Sequence, residues 1–157
     1  DRHDPKTNTR KTVDNDDVCM TIARFKSGIK GTLRVSRVAW GRKCGLSWEV
    51  HGSQGMIRFD QERLNELQLF TPSDDPRQQG VRTILSGPYH NPYDAFLPNA
   101  GHTLGYIDVK ACELNQLLTT IEQGGQTWPS FADGLNIEKV MDAIDRSAMS
   151  GQWMDVE

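Results

Sequence analysis

The sequence predicts an α+β fold, a mostly antiparallel open-faced sheet with two helices packed on one face. Three observations carry this. Short strand-like runs broken by glycine turns fill the first half of the chain. Apolar residues spaced by three and four fill much of the second half, and the strands precede the helices instead of alternating with them. At 157 residues the length fits one domain, able to bury about 70% of its unfolded surface.

Residues 1–16 are polar and aperiodic and read as a loop or linker remnant, so the domain proper is expected over residues 17–157. From Asp17 to Lys26, Val18, Met20 and Ile22 alternate with Cys19, Thr21, Ala23 and Phe25. Both faces are fairly apolar, which suits a strand inside a sheet. Ser27-Gly28 turns the chain, and a second strand is expected over Gly31–Ala39. A third runs over Leu46–His51, with Leu46, Trp48 and Val50 opposite Ser47, Glu49 and His51. Gly52-Ser53-Gln54-Gly55 joins it to a fourth over Met56–Asp60, and Asn65–Phe70 makes a fifth. Strands this close, on short glycine turns, imply an antiparallel meander.

Pro72, Asp74-Asp75 and Pro76 mark Thr71–Gly80 as a loop, with a short strand possible over Val81–Leu85. The stretch Gly87–Gly101, with Pro88, Pro92, Pro98, Tyr89, Tyr93 and Phe96, is long for a bare connection. Such loops are usually functional or well packed. Leu104, Ile107, Ala111, Leu114, Leu118 and Ile121 then form one helical stripe that Gly124-Gly125 stops. Ser130-x-x-Asp133 opens a second helix as a capping box with Asp in place of Glu. That helix carries Phe131, Leu135, Val140, Ile144 and Ala148 and ends near Gly151, with a last strand expected over Gln152–Val156.

Composition narrows the function. Lys plus Arg number 18 against 21 Asp plus Glu, a formal charge of −3, which argues against a nucleic-acid binder. No run of 18 apolar residues exists to span a membrane. Cys19, Cys44 and Cys112 are odd in number and lack C-x-x-C or nearby His spacing. They read as reduced thiols of a cytoplasmic protein rather than metal ligands. The opening DRHDPKTNTRK has no initiator Met and reads like the middle of a longer protein.

Chemical motifs are sparse. No G-x-G-x-x-G follows a strand, and no phosphate-cradling loop, H-E-x-x-H or G-x-S-x-G occurs. Asp14, Asp16 and Asp17 lack the glycine and distant Glu of a calcium loop. Of His3, His51, His90 and His102, the last two rank highest because they flank the proline-aromatic loop, although a lone histidine is more often structural. Arg34, Arg37, Arg42 and Lys43 concentrate positive charge. Pairing with Glu49 and Asp60 is the favoured reading, and an anion- or polyol-binding patch is the alternative. Trp40, Trp48, Trp128 and Trp153 are too dispersed for one stacking platform and suit core or interface packing better.

Three stretches in register carry a resemblance covering residues 13–157. DNDDVCMTIARFKSGIKGTLRVSRVAWG resembles the opening strands of the C-terminal domain of the Gfo/Idh/MocA oxidoreductases. WEVHGSQGMIRFDQERLNELQLF resembles that family's next hairpin with its E-V-x-G-x-x-G turn. WPSFADGLNIEKVMDAIDRSAMSGQWMDV is similar to its closing helix and strand. The resemblance implies a substrate-binding and oligomerisation domain of a dehydrogenase acting on a sugar, inositol or related polyol. NAD or NADP would be bound in the full-length enzyme by a separate dinucleotide domain.

The family's catalytic lysine, in E-K-P, and its Asp…His pair have no counterpart among these residues. No catalytic, cofactor-binding or metal residue is therefore assigned, and the isolated chain is expected to be inactive. By loose correspondence the segment Trp40–Leu46 and the loop Tyr89–His102 reach the substrate. They nominate Arg37, Trp40, Arg42, Lys43, His90, Tyr93 and His102 as substrate-binding candidates, with surface or packing duty an equal alternative for each. A dimer or tetramer through the sheet face is implied too. A rival reading is a non-catalytic interaction module, whose sheet face with Leu33, Val35, Trp48 and Val50 meets a second copy.

Overall fold

The computed structural model describes residues 2–73 and 75–157; Asp1 and Asp74, which fall in the expected linker and loop, lie outside the described residues. The fold class is α+β, with antiparallel strands preceding two α-helices. The chain divides into two compact units, Asp1–Arg42 with Lys139–Glu157, and Lys43–Glu138.

In the first unit, β1 (Arg2–Asp4) and β2 (Thr9–Lys11) form a hairpin where a featureless loop was expected. Local chemistry explains it. Asn8 takes φ 54°, its N–H donates to the Asp4 carbonyl at 2.9 Å, and its side-chain oxygen meets His3 Nε2 at 2.7 Å. Asparagine is among the few residues that enter the left-handed region readily, so Asp4–Asn8 turns without glycine. The Asp4 carboxylate accepts from the Lys6 amide at 2.9 Å, which holds its pKa below the ordinary 3.8. The long pair β3 (Val18–Arg24) and β4 (Lys30–Ser36) follows, in register from Val18↔Ser36 to Arg24↔Lys30 around a turn with Gly28 at φ 89°.

The second unit holds a four-stranded meander, β5 (Ser47–Gly52), β6 (Gly55–Asp60), β7 (Glu66–Phe70) and β8 (Arg82–Leu85). The register Trp48↔Phe59↔Leu67↔Ile84 and Val50↔Ile57↔Leu69 places the apolar residues on one face. The Trp48 and Phe59 rings lie 5.9 Å apart on it. The opposite face carries the row Glu49↔Arg58↔Gln68↔Thr83. There Glu49 pairs with His51 at 2.6 Å and Arg58 at 4.0 Å, partners on its own strand and the next, in place of the expected arginine cluster. The expected five-stranded meander is thus two ladders, β3–β4 and β5 to β8, because residues 37–46 turn without strand pairing.

Helix α1 (Tyr106–Gln123) opens with the Gly105 amide donating to Asp108 Oδ2 at 2.7 Å. It stops at Gly124, φ 72°, as the glycine pair predicts. Its apolar stripe is not buried: Ile107, Leu114, Leu118 and Ile121 are all exposed. Helix α2 (Phe131–Ser150) has the expected cap. Asp133 Oδ2 accepts from the Ser130 amide at 2.8 Å and the Ser130 hydroxyl at 2.7 Å, which lowers the carboxyl pKa. Ser130→Ala removes the hydroxyl half of this cap and is expected to cost about 1 kcal/mol, read as a lower urea midpoint with unchanged slope.

The last strand expected over Gln152–Val156 is absent; two carbonyls of the segment are instead taken by side chains from the end of α2. The Ser147 hydroxyl donates to the Gln152 carbonyl at 2.6 Å and the Arg146 guanidinium to the Asp155 carbonyl at 3.4 Å.

The expected core is also missing. Leu97, Leu104 and Ala143 are the buried apolar residues among those described. Two independently packed bodies of this total mass would expose about 9,500 Å², whereas the chain exposes 13721 Å². Much of its apolar surface is therefore exposed on this chain.

Candidate functional site

The seven residues nominated from sequence fall in both units. In the first, Arg37 follows β4, its amide donating to the Asp17 carbonyl at 2.8 Å. Trp40 stands 100% exposed on the turn closed by Arg42 N–H to the Ala39 carbonyl. A tryptophan that touches nothing serves no core, so the packing role expected for Trp40 is not met within this chain.

The other four lie in the second unit. The Lys43 side chain is exposed while its backbone is fastened: Glu62 Oε1 accepts from the Lys43 amide at 2.6 Å and the Cys44 amide at 3.3 Å. His90, Tyr93 and His102 ride the loop between β8 and α1, which is built from nested turns. The His90 amide donates to Gly87 at 3.0 Å, Tyr93 to His90 at 2.7 Å, Leu97 to Tyr93 at 2.8 Å and His102 to Asn99 at 3.3 Å. Such turns satisfy the backbone of a segment too rich in proline for strand or helix. The Asn91–Pro92 bond is cis. Leu97, 7% exposed, and Leu104, 6% exposed, plug the loop's far end. Tyr93 sits half-buried, edge-on to Phe96 with centroids 6.1 Å apart.

His102 is the best-defined polar group of the loop. Its Nδ1 lies 3.0 Å from the Asn99 carbonyl, which can only accept, so Nδ1 carries the proton. That leaves Nε2 as a free acceptor on an exposed ring. Together with the Lys43 ammonium and the Tyr93 hydroxyl, the unit offers donors and an acceptor suited to hydroxyl groups.

A cleft of this unit lies beside these residues in sequence, and none of the seven lines it. It encloses about 680 Å³ between Asn91, Pro92, Ala95 and Phe96 on the loop and α1, which supplies Cys112, Asn115, Gln116 and Thr119. This size suits a small organic ligand. Sequence reading missed the lining because it followed the apolar stripe of α1. Asp108, Cys112, Asn115 and Thr119 recur at the same helical spacing beside it, and that polar stripe is the signal that could have found the cleft.

Two further anchors went unnoticed, Glu62 and Asn65. The Asn65 side chain mimics a strand neighbour: Nδ2 donates to the Leu104 carbonyl at 2.9 Å and Oδ1 accepts the Leu104 amide at 2.6 Å and the Ser86 hydroxyl at 2.8 Å. A partner 39 residues away leaves no local spacing to read.

The described residues do not fit a dinucleotide. A pyrophosphate needs a free, positive helix N-terminus after a parallel strand. Here all strand pairs among the described residues are antiparallel, and the carboxylates of Asp108 and Asp133, in the first turns of α1 and α2, accept the amides of the preceding Gly105 and Ser130. No group of three metal-ligating side chains occurs among the described residues, and no helix is long and apolar enough to cross a membrane.

Residues 3–58 match the family described as the GFO/IDH/MocA C-terminal domain. Levoglucosan dehydrogenase of Pseudarthrobacter phenanthrenivorans is 38% identical over 144 residues, which is 92% of this chain and 37% of that enzyme. A solved levoglucosan dehydrogenase in complex with NADH and levoglucosan superposes with TM-score 0.89 at 38% identity, over 93% of this chain and 40% of that one. An NAD binding oxidoreductase from Klebsiella pneumoniae gives TM-score 0.84 at 36% identity, over 94% and 40% respectively. The chain thus spans about two fifths of the length of the relatives it matches. Residues 3–58 thus resemble the C-terminal domain of the Gfo/Idh/MocA family, and most of the chain is similar to part of these oxidoreductases.

Proposed function

We propose that this chain is the substrate-binding and oligomerisation domain of a cytoplasmic, NAD(P)-dependent oxidoreductase acting on a sugar, inositol or related polyol. Residues 17–157 form the domain and residues 1–16 lead into it. The observation that carries the reading is the match along 92% of the chain to levoglucosan dehydrogenase, which makes an anhydrosugar such as levoglucosan the first substrate to test. NAD or NADP, bound elsewhere on the longer polypeptide, supplies the hydride chemistry. The residues here bind and orient the polyol, with His102 Nε2 accepting from one hydroxyl and Lys43 and Tyr93 donating to others. His90 is a further candidate contact of the second unit, and Arg37, Trp40 and Arg42 are candidate contacts carried by the first.

The oligomer role is supported by the exposed apolar residues of the strands, Leu33, Val35, Trp48 and Val50. The same observation supports the second reading, a non-catalytic module that uses the exposed apolar residues of either sheet to meet a second copy.

Nicotinamide absorbance with a panel of sugars, anhydrosugars and inositols separates the two readings. The whole polypeptide is expected to reduce NAD or NADP with at least one of them. A polypeptide that assembles but reduces neither cofactor with any of the panel favours the second reading.

A further inference from the structure

Residues 43–46 of the nominated segment Trp40–Leu46, and Leu104, two residues beyond the nominated loop Tyr89–His102, are fastened to one short connection between β6 and β7. We propose that this connection, Gln61–Asn65, sets the spacing of the polyol pocket, and that Glu62 and Asn65 are its positioning residues. The proposal rests on the reading that those loops meet the substrate.

The connection is built to hold its shape. Asp60 Oδ1 caps the 3-10 turn Gln61–Arg63 by accepting the Glu62 amide at 3.0 Å. Arg63 closes the far side with a two-pronged contact to Glu66, Nε to Oε2 at 2.7 Å and Nη2 to Oε1 at 2.8 Å. From this base one set of bonds runs to the first loop. Glu62 takes the Lys43 and Cys44 amides, Gln61 Nε2 donates to the Cys44 carbonyl at 3.2 Å and the Cys44 Sγ at 3.1 Å, and the Gln61 amide donates to the Leu46 carbonyl at 2.8 Å. The other set runs just beyond the second loop, where Asn65 takes both the amide and the carbonyl of Leu104, two residues from His102.

Neither Glu62 nor Asn65 needs to touch a ligand to matter. Polyol recognition depends on several hydroxyl partners held at fixed separations, and displacements of an ångström weaken it steeply. Lys43 and His102 belong to segments 59 positions apart in sequence, yet their backbones are referred to the same five residues. A change at either anchor therefore shifts one wall of the pocket relative to the other.

The test uses the whole polypeptide and reads KM for the polyol, KM for the dinucleotide and kcat separately. Glu62→Ala removes the acceptor for two amides. Asn65→Asp keeps the acceptor for the Leu104 amide and sets a carboxylate oxygen against the Leu104 carbonyl. Each is expected to raise the polyol KM about tenfold while the dinucleotide KM stays within twofold. Glu62→Gln, whose side-chain carbonyl still accepts from both amides, is expected to restore most of what Glu62→Ala loses. Should Asn65→Asp fail to fold, the Glu62 pair carries the test alone.

Faster hydrogen exchange at the Cys44 amide with an unchanged polyol KM would make the anchor merely structural and overturn the proposal. His102→Ala separates the two levels of failure. If it raises the polyol KM and Glu62→Ala does not, the positioning role alone falls; if neither does, the reading of the loops falls and takes the positioning role with it.

Discussion

Gly55→Ala is expected to destabilise the second unit by about 3 kcal/mol. Gly55 opens β6 at φ 155°, and a Cβ there would lie 2.3 Å from the Phe70 carbonyl oxygen on β7. That neighbour is backbone within the Met56↔Phe70 ladder and has no rotamer to swing away, so the end of the ladder must open. Gly52, across the same turn, supplies the control. Its added Cβ would meet nothing nearer than 3.8 Å and no positive φ is required, so Gly52→Ala is expected to stay within about 0.5 kcal/mol of the parent. Urea midpoints at constant slope check both. Equal effects at the two glycines would show that the close approach to Phe70 does not govern this turn.

Leu104→Ala is expected to cost about 2–4 kcal/mol, the range for emptying a buried leucine site. Leu104 is 6% exposed and stands where the loop 89–102 leads into α1, its amide and carbonyl both held by Asn65. Since few apolar residues of this chain are buried, little neighbouring core can collapse into the space. Ile107, 78% exposed on the next turn, contributes little buried area, and Ile107→Ala is expected to stay within about 0.5 kcal/mol. A comparable loss at both positions would mean that the α1 stripe is covered in solution, in keeping with a partner surface over it.

These contrasts show which features the sequence made legible. The period change near Leu104, the Gly124-Gly125 stop and the Ser130–Asp133 cap are local signals, and all three stand in the structure. The hairpins around Gly28 and Gly52–Gly55 are local too. The Asp4–Asn8 turn escaped because its left-handed residue is asparagine, not glycine. The strand expected over Gln152–Val156 does not form, and the carbonyls of Gln152 and Asp155 accept instead from Ser147 and Arg146.

The core expectation failed for a different reason. Length alone predicts burial only for a chain that covers its own apolar faces, and here Leu33, Val50, Leu114 and Ile121 are left open. At the site, the loop 89–102 was legible from its prolines and aromatics. The anchors Glu62 and Asn65, and the cleft beside α1, were not, because each depends on pairs distant in sequence.

The central claim is that this domain supplies the sugar-facing wall and not the dinucleotide site. Steady-state kinetics of His102→Ala in the whole polypeptide tests it most directly, with the sugar and the dinucleotide varied in turn. A rise of about tenfold or more in the sugar KM is expected, as a directed hydroxyl partner is lost, with a dinucleotide KM within twofold of the parent. A sugar KM left unchanged, or a dinucleotide KM that rises in its place, would contradict that claim.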